Sequence, residues 1–215
     1  MLSKSQIAAI RKDYQLRSLT EGEVSDDPIL QFTSWWDEAL NSEVLEANAM
    51  TLATATKNGI PSARTVLLKG YDENGFIFFT NYESKKGKEL INNPHASLLF
   101  FWKELERQVR IEGAVSKISE HESDTYFTSR PFESKIGTWS SPQSSVINSR
   151  QVLEENMQLY KDKYADGNVP RPPHWGGFIL KPVLIEFWQG RLGRLHDRIQ
   201  YKLSGNSWVI ERLAP

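Results

Sequence analysis

Arg194, His196 and Arg198 stand two residues apart at the end of the stretch Ile185–Arg198. In an extended strand alternate side chains share a face, so the three would form one row of two guanidiniums and an imidazole. At about 3.3 Å per residue the row would span about 13 Å, enough to touch two adjacent small ligands or both ends of one. Guanidiniums suit bound anions, and an imidazole can exchange a proton near neutral pH. The competing reading of the same spacing is a solvated basic edge strand. Gly190, just upstream, marks a bulge or a close backbone approach.

Three further clusters point to anions. Arg64-Thr65-Val66-Leu67-Leu68-Lys69 lies on a predicted strand, with Val66 and Leu68 as core candidates. Arg64 and Lys69 are an odd number of residues apart, so a regular strand puts them on opposite faces. One ligand reaches both only across a bulge or a subunit boundary. Ser84-Lys85-Lys86 opens a predicted helix, where free backbone N–H groups and the helix dipole favour an anion. Tyr126 and Arg130 are four apart and share a helix face, with Ser134 just beyond. Two hydroxyls and a guanidinium make a phosphate-ester cradle; a surface arginine beside a half-buried tyrosine is the alternative. Gln143-Ser144 says nothing alone.

The elements that must carry these residues follow from periodicity. Residues 5–14 read as a short helix and Ile29–Ser42 as an amphipathic one. From about Ala49 the period becomes two: Met50–Thr56 and Ala63–Lys69 flank Asn58-Gly59, a hairpin signal, and Phe76–Thr80 follows a second turn at Asn74-Gly75. Ser84–Asn92 reads as a helix capped by Ser84, Ser97–Trp102 and Gln108–Ile118 as strands, and Ser119–Arg130 as a helix ended by Pro131. Pro142 to Ser149 reads as a loop and Ser149–Tyr164 as a helix. The predicted closing strands are Gly177–Leu180, Val183–Gln189, His196–Leu203 and Trp208–Leu213. Antiparallel strands with a few helices imply an α+β fold, mainly β, closing into a barrel with peripheral helices.

Composition narrows the function. The 215 residues carry 26 basic and 27 acidic side chains, which disfavours a general nucleic-acid surface. The excess of positive charge is local: residues 171–215 hold seven basic and three acidic side chains. There is no cysteine, and His95, His121, His174 and His196 have no metal-ligand spacing, so no metal is expected. Nothing near the N-terminus resembles a signal peptide, and the longest apolar run, Ser97–Trp102, is too short to cross a bilayer, so a cytoplasmic protein without membrane attachment is expected. No phosphate-binding glycine loop or nucleophile elbow is present. The residues by themselves lead to a β-barrel that binds phosphorylated small molecules.

The chain also resembles the pyridoxine/pyridoxamine 5′-phosphate oxidase family of FMN-binding split-barrel flavoproteins. The resemblance rests on Glu186-Phe187-Trp188-Gln189, four residues, then Arg194-Leu195-His196-Asp197-Arg198. It extends in order through Arg64–Lys69, Phe79-Thr80, Ser84–Lys86, Glu106–Gln108, Ser129–Pro131, Gln143-Ser144, Trp175–Gly177 and Arg212–Pro215. It implies a single antiparallel split-barrel domain over residues 1–215, with 1–45 a helical segment acting as a lid and 46–215 the barrel. It implies a homodimer with FMN at the subunit interface and no nucleic-acid partner. The implied reaction oxidises pyridoxine or pyridoxamine 5′-phosphate to pyridoxal 5′-phosphate with dioxygen as acceptor.

Carried over by position, Arg64, Thr65, Val66, Leu67, Leu68, Lys69, Phe79, Thr80, Lys85, Lys86, Gln108, Gln143, Ser144, Trp188 and Arg198 would contact FMN. Arg11, Tyr14, Lys69, Tyr126, Arg130 and Ser134 would bind substrate, with Arg194 and His196 at the pyridine ring as the catalytic pair. Position 85 is Lys where the family commonly has Arg, which replaces a two-pronged fork by a point charge. Glu46 stands where an Asp is often found.

Overall fold

A computed structural model describes residues 13–215 together with Gln6 and Ala9. Most of the helix expected over 5–14, Arg11 included, lies outside the described residues, and Asp13 and Tyr14 at its end are not helical. Along the chain run α1 (Pro28–Leu40), β1 (Ala49–Ala55), β2 (Pro61–Leu67), β3 (Gly70–Asp72), β4 (Gly75–Asn81), α2 (Lys85–Asn92), β5 (His95–Trp102) and β6 (Arg107–Lys117). They are followed by α3 (Glu120–Ser129), α4 (Phe132–Ser140), α5 (Gln151–Lys163), β7 (Trp175–Gln189), β8 (Asp197–Ser204) and β9 (Ser207–Arg212). The expected α+β class with antiparallel strands is the observed one. Among the described residues no helix is long and apolar enough to cross a membrane.

Local chemistry explains the helix starts. Asp27 caps α1, its carboxylate accepting from the Ile29 and Leu30 N–H groups, with Pro28 at the first helical position where no N–H is needed. Ser119 and Glu122 form a reciprocal capping box at α3. Ser84 caps α2 by accepting from Gly87 N–H while its own hydroxyl donates to Asn81 O.

Three expectations need correction. α4 was not expected, because Pro131 reads as a helix stop; here the same proline ends α3 and stands immediately before α4. Gly177–Leu180 and Val183–Gln189 are one strand, β7, since Pro182 does not interrupt the pairing on either side of it. β8 begins at Asp197, so Arg194 and His196 precede it, and Arg194 has a left-handed backbone (φ 63°) beside Gly193. The three-residue row expected on one strand face therefore does not exist.

The chain forms two compact units, to each of which β5, β6 and β7 contribute a part. The unit of residues 48–98 and 112–182 contains the pairing order β2-β1-β5-β6-β7-β4-β3. β1 and β2 form the expected hairpin, with Ala55 opposite Pro61. Its core includes Met50, Leu52, Phe76, Phe78, Leu98 and Leu180, and a second cluster of Phe127, Ile136, Tyr164, Val169 and Trp175 lies where α3, α4 and α5 pack. The unit of residues 1–47, 99–111 and 183–215 pairs β7 with β8 and β8 with β9. Phe32, Trp35, Phe100, Phe187 and Tyr201 fill it, their rings in edge or tilted contact.

The start of α2 is held by close packing. A Cβ on Gly87 would lie 2.4 Å from Tyr82 O and 2.6 Å from Asn81 O, both backbone atoms that cannot move aside. Gly87→Ala is expected to destabilise the protein by about 1–3 kcal/mol, read as a lower denaturant midpoint with unchanged m-value. An unaltered midpoint would show that this approach is not a constraint.

Candidate active site

A cleft of about 490 Å³ opens in the unit of residues 48–98 and 112–182. Thr65, Val66, Leu67 and Lys69 line it from β2 and the segment just after it, and Phe79 and Thr80 from β4. Lys86, Tyr126, Arg130, Ser134, Gln143 and Trp175 complete its polar and aromatic wall. Eleven residues that the resemblance carries to FMN or substrate share one cavity. Lys69 reaches it because β2 ends at Leu67, which removes the strict alternation that would have turned it away.

Two cations give the cleft its character. Lys86 is half-buried; its Nζ donates to Thr80 Oγ1 (3.2 Å) and Gln143 Oε1 (3.4 Å), and it has no carboxylate partner among the described residues. Burial, then the charge of Arg64, push its pKa down. Arg130 is also half-buried and donates to Thr138 Oγ1 (2.7 Å), with its guanidinium 4.7 Å from the Trp175 ring centre. It too lacks a carboxylate among the described residues, and burial lowers its pKa. Thr138 Oγ1 donates in turn to Ser134 O, so α4 itself fixes the position of Arg130. Phe79, Tyr126 and Trp175 form a cluster of near-parallel rings, with Phe79 4.0 Å from Tyr126 and 5.3 Å from Trp175 and the latter two 6.2 Å apart.

Such a cavity suits a planar ligand bearing a dianion. Its volume is in the range of cofactor sites, its walls combine aromatic rings with hydroxyls and amides, and Lys86 and Arg130 are partly desolvated without a carboxylate among the described residues. FMN, with a ring and a phosphate, fits that donor set.

Other expected residues lie elsewhere. Leu68 is buried in the core and does not line the cleft. Lys85 is exposed and faces Glu89 Oε1 at 4.0 Å. Arg64 also does not line it: Nη1 donates to Leu52 O and Thr54 Oγ1, and Nη2 to Ser62 Oγ and Glu89 Oε2. Ser144 is exposed with a left-handed backbone (φ 70°).

Gln108, Trp188, Arg194, His196 and Arg198 belong to the other unit. There Arg198 sits opposite Trp188 in the β7–β8 ladder, and its Nε donates diagonally to Glu186 Oε1 (2.7 Å). Arg110 donates to the other oxygen of Glu186. Burial works to raise the Glu186 carboxyl, but the two arginines outweigh it and hold it below the usual carboxylate range. Tyr14 lies edge-on to Trp188 (5.7 Å) and against His196 (6.0 Å). Gly190 makes room for it, since a Cβ there would meet the Tyr14 ring at 2.6 Å. This is the close approach that the glycine signalled. Arg194 is exposed, as is Glu46, whose backbone is left-handed.

The backbone N–H of Arg191 donates to His196 Nδ1 (3.1 Å). A neutral ring accepting there carries its proton on Nε2, so the free edge of His196 is a donor. Burial and then the Arg194 charge lower its pKa, which favours that neutral form.

Residues 36–163 match the family model described as pyridoxamine 5′-phosphate oxidase. The chain belongs to that family. Residues 175–215 match the pyridoxine 5′-phosphate oxidase C-terminal dimerisation region, which supports a homodimer. The pyridoxine/pyridoxamine 5′-phosphate oxidase of Gloeothece citriformis is 58% identical over 210 residues, 97% of this chain and 98% of that one. That of Salinibacter ruber is 54% identical over 214 residues, 98% of this chain and 100% of that one. Among solved structures, PhzG from Burkholderia lata 383, in complex with tetrahydrophenazine-1-carboxylic acid, superposes with a TM-score of 0.85 at 33% identity, covering 90% of this chain and 95% of that chain. An FMN-binding protein from Nostoc punctiforme shares the split-barrel fold (TM-score 0.69, 20% identity, 88% and 98% covered).

Sequence reasoning assigned no role to Glu186, Glu89 or Thr138, which hold the arginines expected to touch ligands, or to Arg110, which shares Glu186 with Arg198. Glu186 carried a signal, standing two residues from Trp188 on the same strand face. Glu186→Gln leaves Arg110 and Arg198 facing a neutral amide and is expected to destabilise by about 3 kcal/mol at neutral pH. Because its folded-state pKa is depressed, the Glu186 contribution is present above the ordinary value of 4.5 and is lost as pH falls below it. The wild-type advantage over the variant in denaturant titrations should therefore shrink in acid; a constant difference would refute the charge-based account.

Proposed function

We propose that the chain is a pyridoxine/pyridoxamine 5′-phosphate oxidase that uses FMN to convert either substrate to pyridoxal 5′-phosphate. The observation that carries this reading is one cleft holding two half-buried cations, Lys86 and Arg130, neither with a carboxylate among the described residues. Two such centres on an aromatic wall call for two phosphates, one from cofactor and one from substrate. FMN, when bound, would supply the hydride acceptor for oxidation at C4′, with dioxygen as the final acceptor reduced to hydrogen peroxide. The amine substrate also consumes one water and releases ammonia.

Lys86, with Thr80 and Gln143 alongside, takes the flavin phosphate, and Thr65, Val66, Leu67 and Phe79 pack on the flavin. Arg130, Tyr126, Ser134 and Lys69 hold the substrate phosphate, so binding energy far from C4′ fixes the orientation of the ring. Gln108, Trp188 and Arg198 would complete the FMN site at the subunit boundary. Arg194 and His196 meet the pyridine ring, and Tyr14 covers it. His196 donates from Nε2 and orients the substrate; with Nδ1 occupied by the Arg191 N–H it removes no proton from it.

Anaerobic mixing of FMN-loaded protein with pyridoxamine 5′-phosphate should bleach the flavin, and air should restore it with peroxide formed. Unphosphorylated pyridoxamine should bleach it far more slowly, and Arg130→Ala should erase most of that difference. A flavin that stays oxidised with substrate demonstrably bound would sink the proposal. For His196, protonation of Nδ1 expels the Arg191 N–H, so its contribution to kcat/KM should be constant above pH 6.5 and fall on the acid side. A wild-type acid limb that is unchanged in His196→Asn would rule this role out.

A further inference from the structure

Glu89 is a buried carboxylate at the foot of the basic cluster in the same unit as the cleft, and the proposed reaction does not use it. It projects from α2, four residues after Lys85. Its Oε2 accepts from Thr54 Oγ1 (2.6 Å) and Ser62 Oγ (2.6 Å), and Arg64 Nη2 is 3.3 Å away. Its Oε1 is fully buried and has no hydrogen-bond partner among the described residues. The nearest cation to that oxygen is Lys85 Nζ at 4.0 Å. Leaving a buried carboxylate oxygen bare is costly, so its presence calls for an electrostatic reason.

The surrounding charges supply one. Lys85 and Lys86 open α2, where the positive end of the helix dipole adds to their repulsion, and the Arg64 charge is felt at Lys86. Burial works to raise the Glu89 carboxyl, but the Ser62 and Thr54 hydroxyls and then the Arg64 and Lys85 charges hold it below its usual range. It is an anion at neutral pH. Both outer nitrogens of Arg64 are engaged by Leu52, Thr54, Ser62 and Glu89, whereas Lys86 meets neutral oxygens only.

Resting on the reading of the cleft as an FMN site, we propose that Glu89 is the internal counterion of the flavin-phosphate site. It neutralises Arg64 and Lys85 in the FMN-free protein and, by offsetting the Arg64 charge that is felt at Lys86, weakens FMN binding. The site is thereby stable when empty, at a cost in affinity. Two consequences separate this from a simple positioning role for Glu89, in which any substitution weakens FMN. Removing the charge while keeping the shape should tighten FMN and destabilise the FMN-free protein together. Lys85, whose charge Glu89 already offsets, should matter much less to FMN than Lys86.

The test is fluorescence titration of FMN-free protein with FMN, together with thermal melts of the FMN-free and FMN-loaded forms. Glu89→Gln should lower the FMN Kd by about tenfold and lower the FMN-free melting temperature by roughly 3 °C, so the gap between the two melts widens. A Kd that is unchanged or raised overturns the proposal. Should that variant fail to fold, Lys85→Met and Lys86→Met decide: a loss of FMN affinity about tenfold larger for Lys86→Met supports it, and equal losses overturn it. A wild-type protein that takes up no FMN would instead overturn the reading of the cleft, and this inference with it.

Discussion

Positive charge held partly out of water without a negative partner is the constraint around which the cleft is built. Lys86 and Arg130 each lose hydration on burial and are compensated, among the described residues, by hydroxyl and amide oxygens and the faces of Trp175 and Phe127. Burial alone pushes both toward the neutral form, yet a guanidinium does not deprotonate in practice. The state that satisfies them is one with anions in the cleft. The cavity volume, the near-parallel rings of Tyr126, Phe79 and Trp175, and the placement of α2 and α4 leave room there for an anionic group beside a flat ring.

The protein treats Arg198, Arg110 and Arg107, which are partly or almost fully buried, in the opposite way. Arg198 and Arg110 share Glu186, and Arg107, almost fully buried, donates to Gln189 and Glu38 while lying over Trp35. These cations are held in place by the fold itself, because a buried arginine with a carboxylate in good geometry is a fixed object. Arg64 is intermediate, with Glu89 at 3.3 Å and three neutral oxygens around it. A ranking of the basic residues by internal counterion is thus a ranking by availability: Lys86 and Arg130 are open to ligands, Arg64 is partly committed, and Arg198 is anchored on one side.

Much of this was legible along the chain. The hairpin at Asn58-Gly59, the Ser84 and Ser119 caps and the alternation in β6 are local effects of a few neighbouring residues, so they survive into the structure with shifts of one or two positions at their ends. Tyr126 and Arg130 were placed together by helical spacing, and both line the cleft. Where reading failed, a non-local effect had intervened. Pro131 ends one helix and stands before the next, which only the packing of Ile136 into the cluster with Phe127 and Trp175 makes worthwhile. The row Arg194, His196, Arg198 depended on an unbroken strand, and the left-handed turn at Gly193-Arg194 removes it.

The sequence alone determined which side chains could bind phosphate, the antiparallel α+β class and the family, because these rest on residue types, short-range periodicity and ordered motifs. Only the tertiary structure decided which cations are free to act. Glu89 is 25 residues from Arg64 and Glu186 is 76 from Arg110 along the chain, so no spacing rule reveals that these pairs meet. Nor could it show that His196 accepts the Arg191 N–H at Nδ1 and so presents a donor. Charge, hydration and tautomer are set by neighbours that folding brings from distant positions.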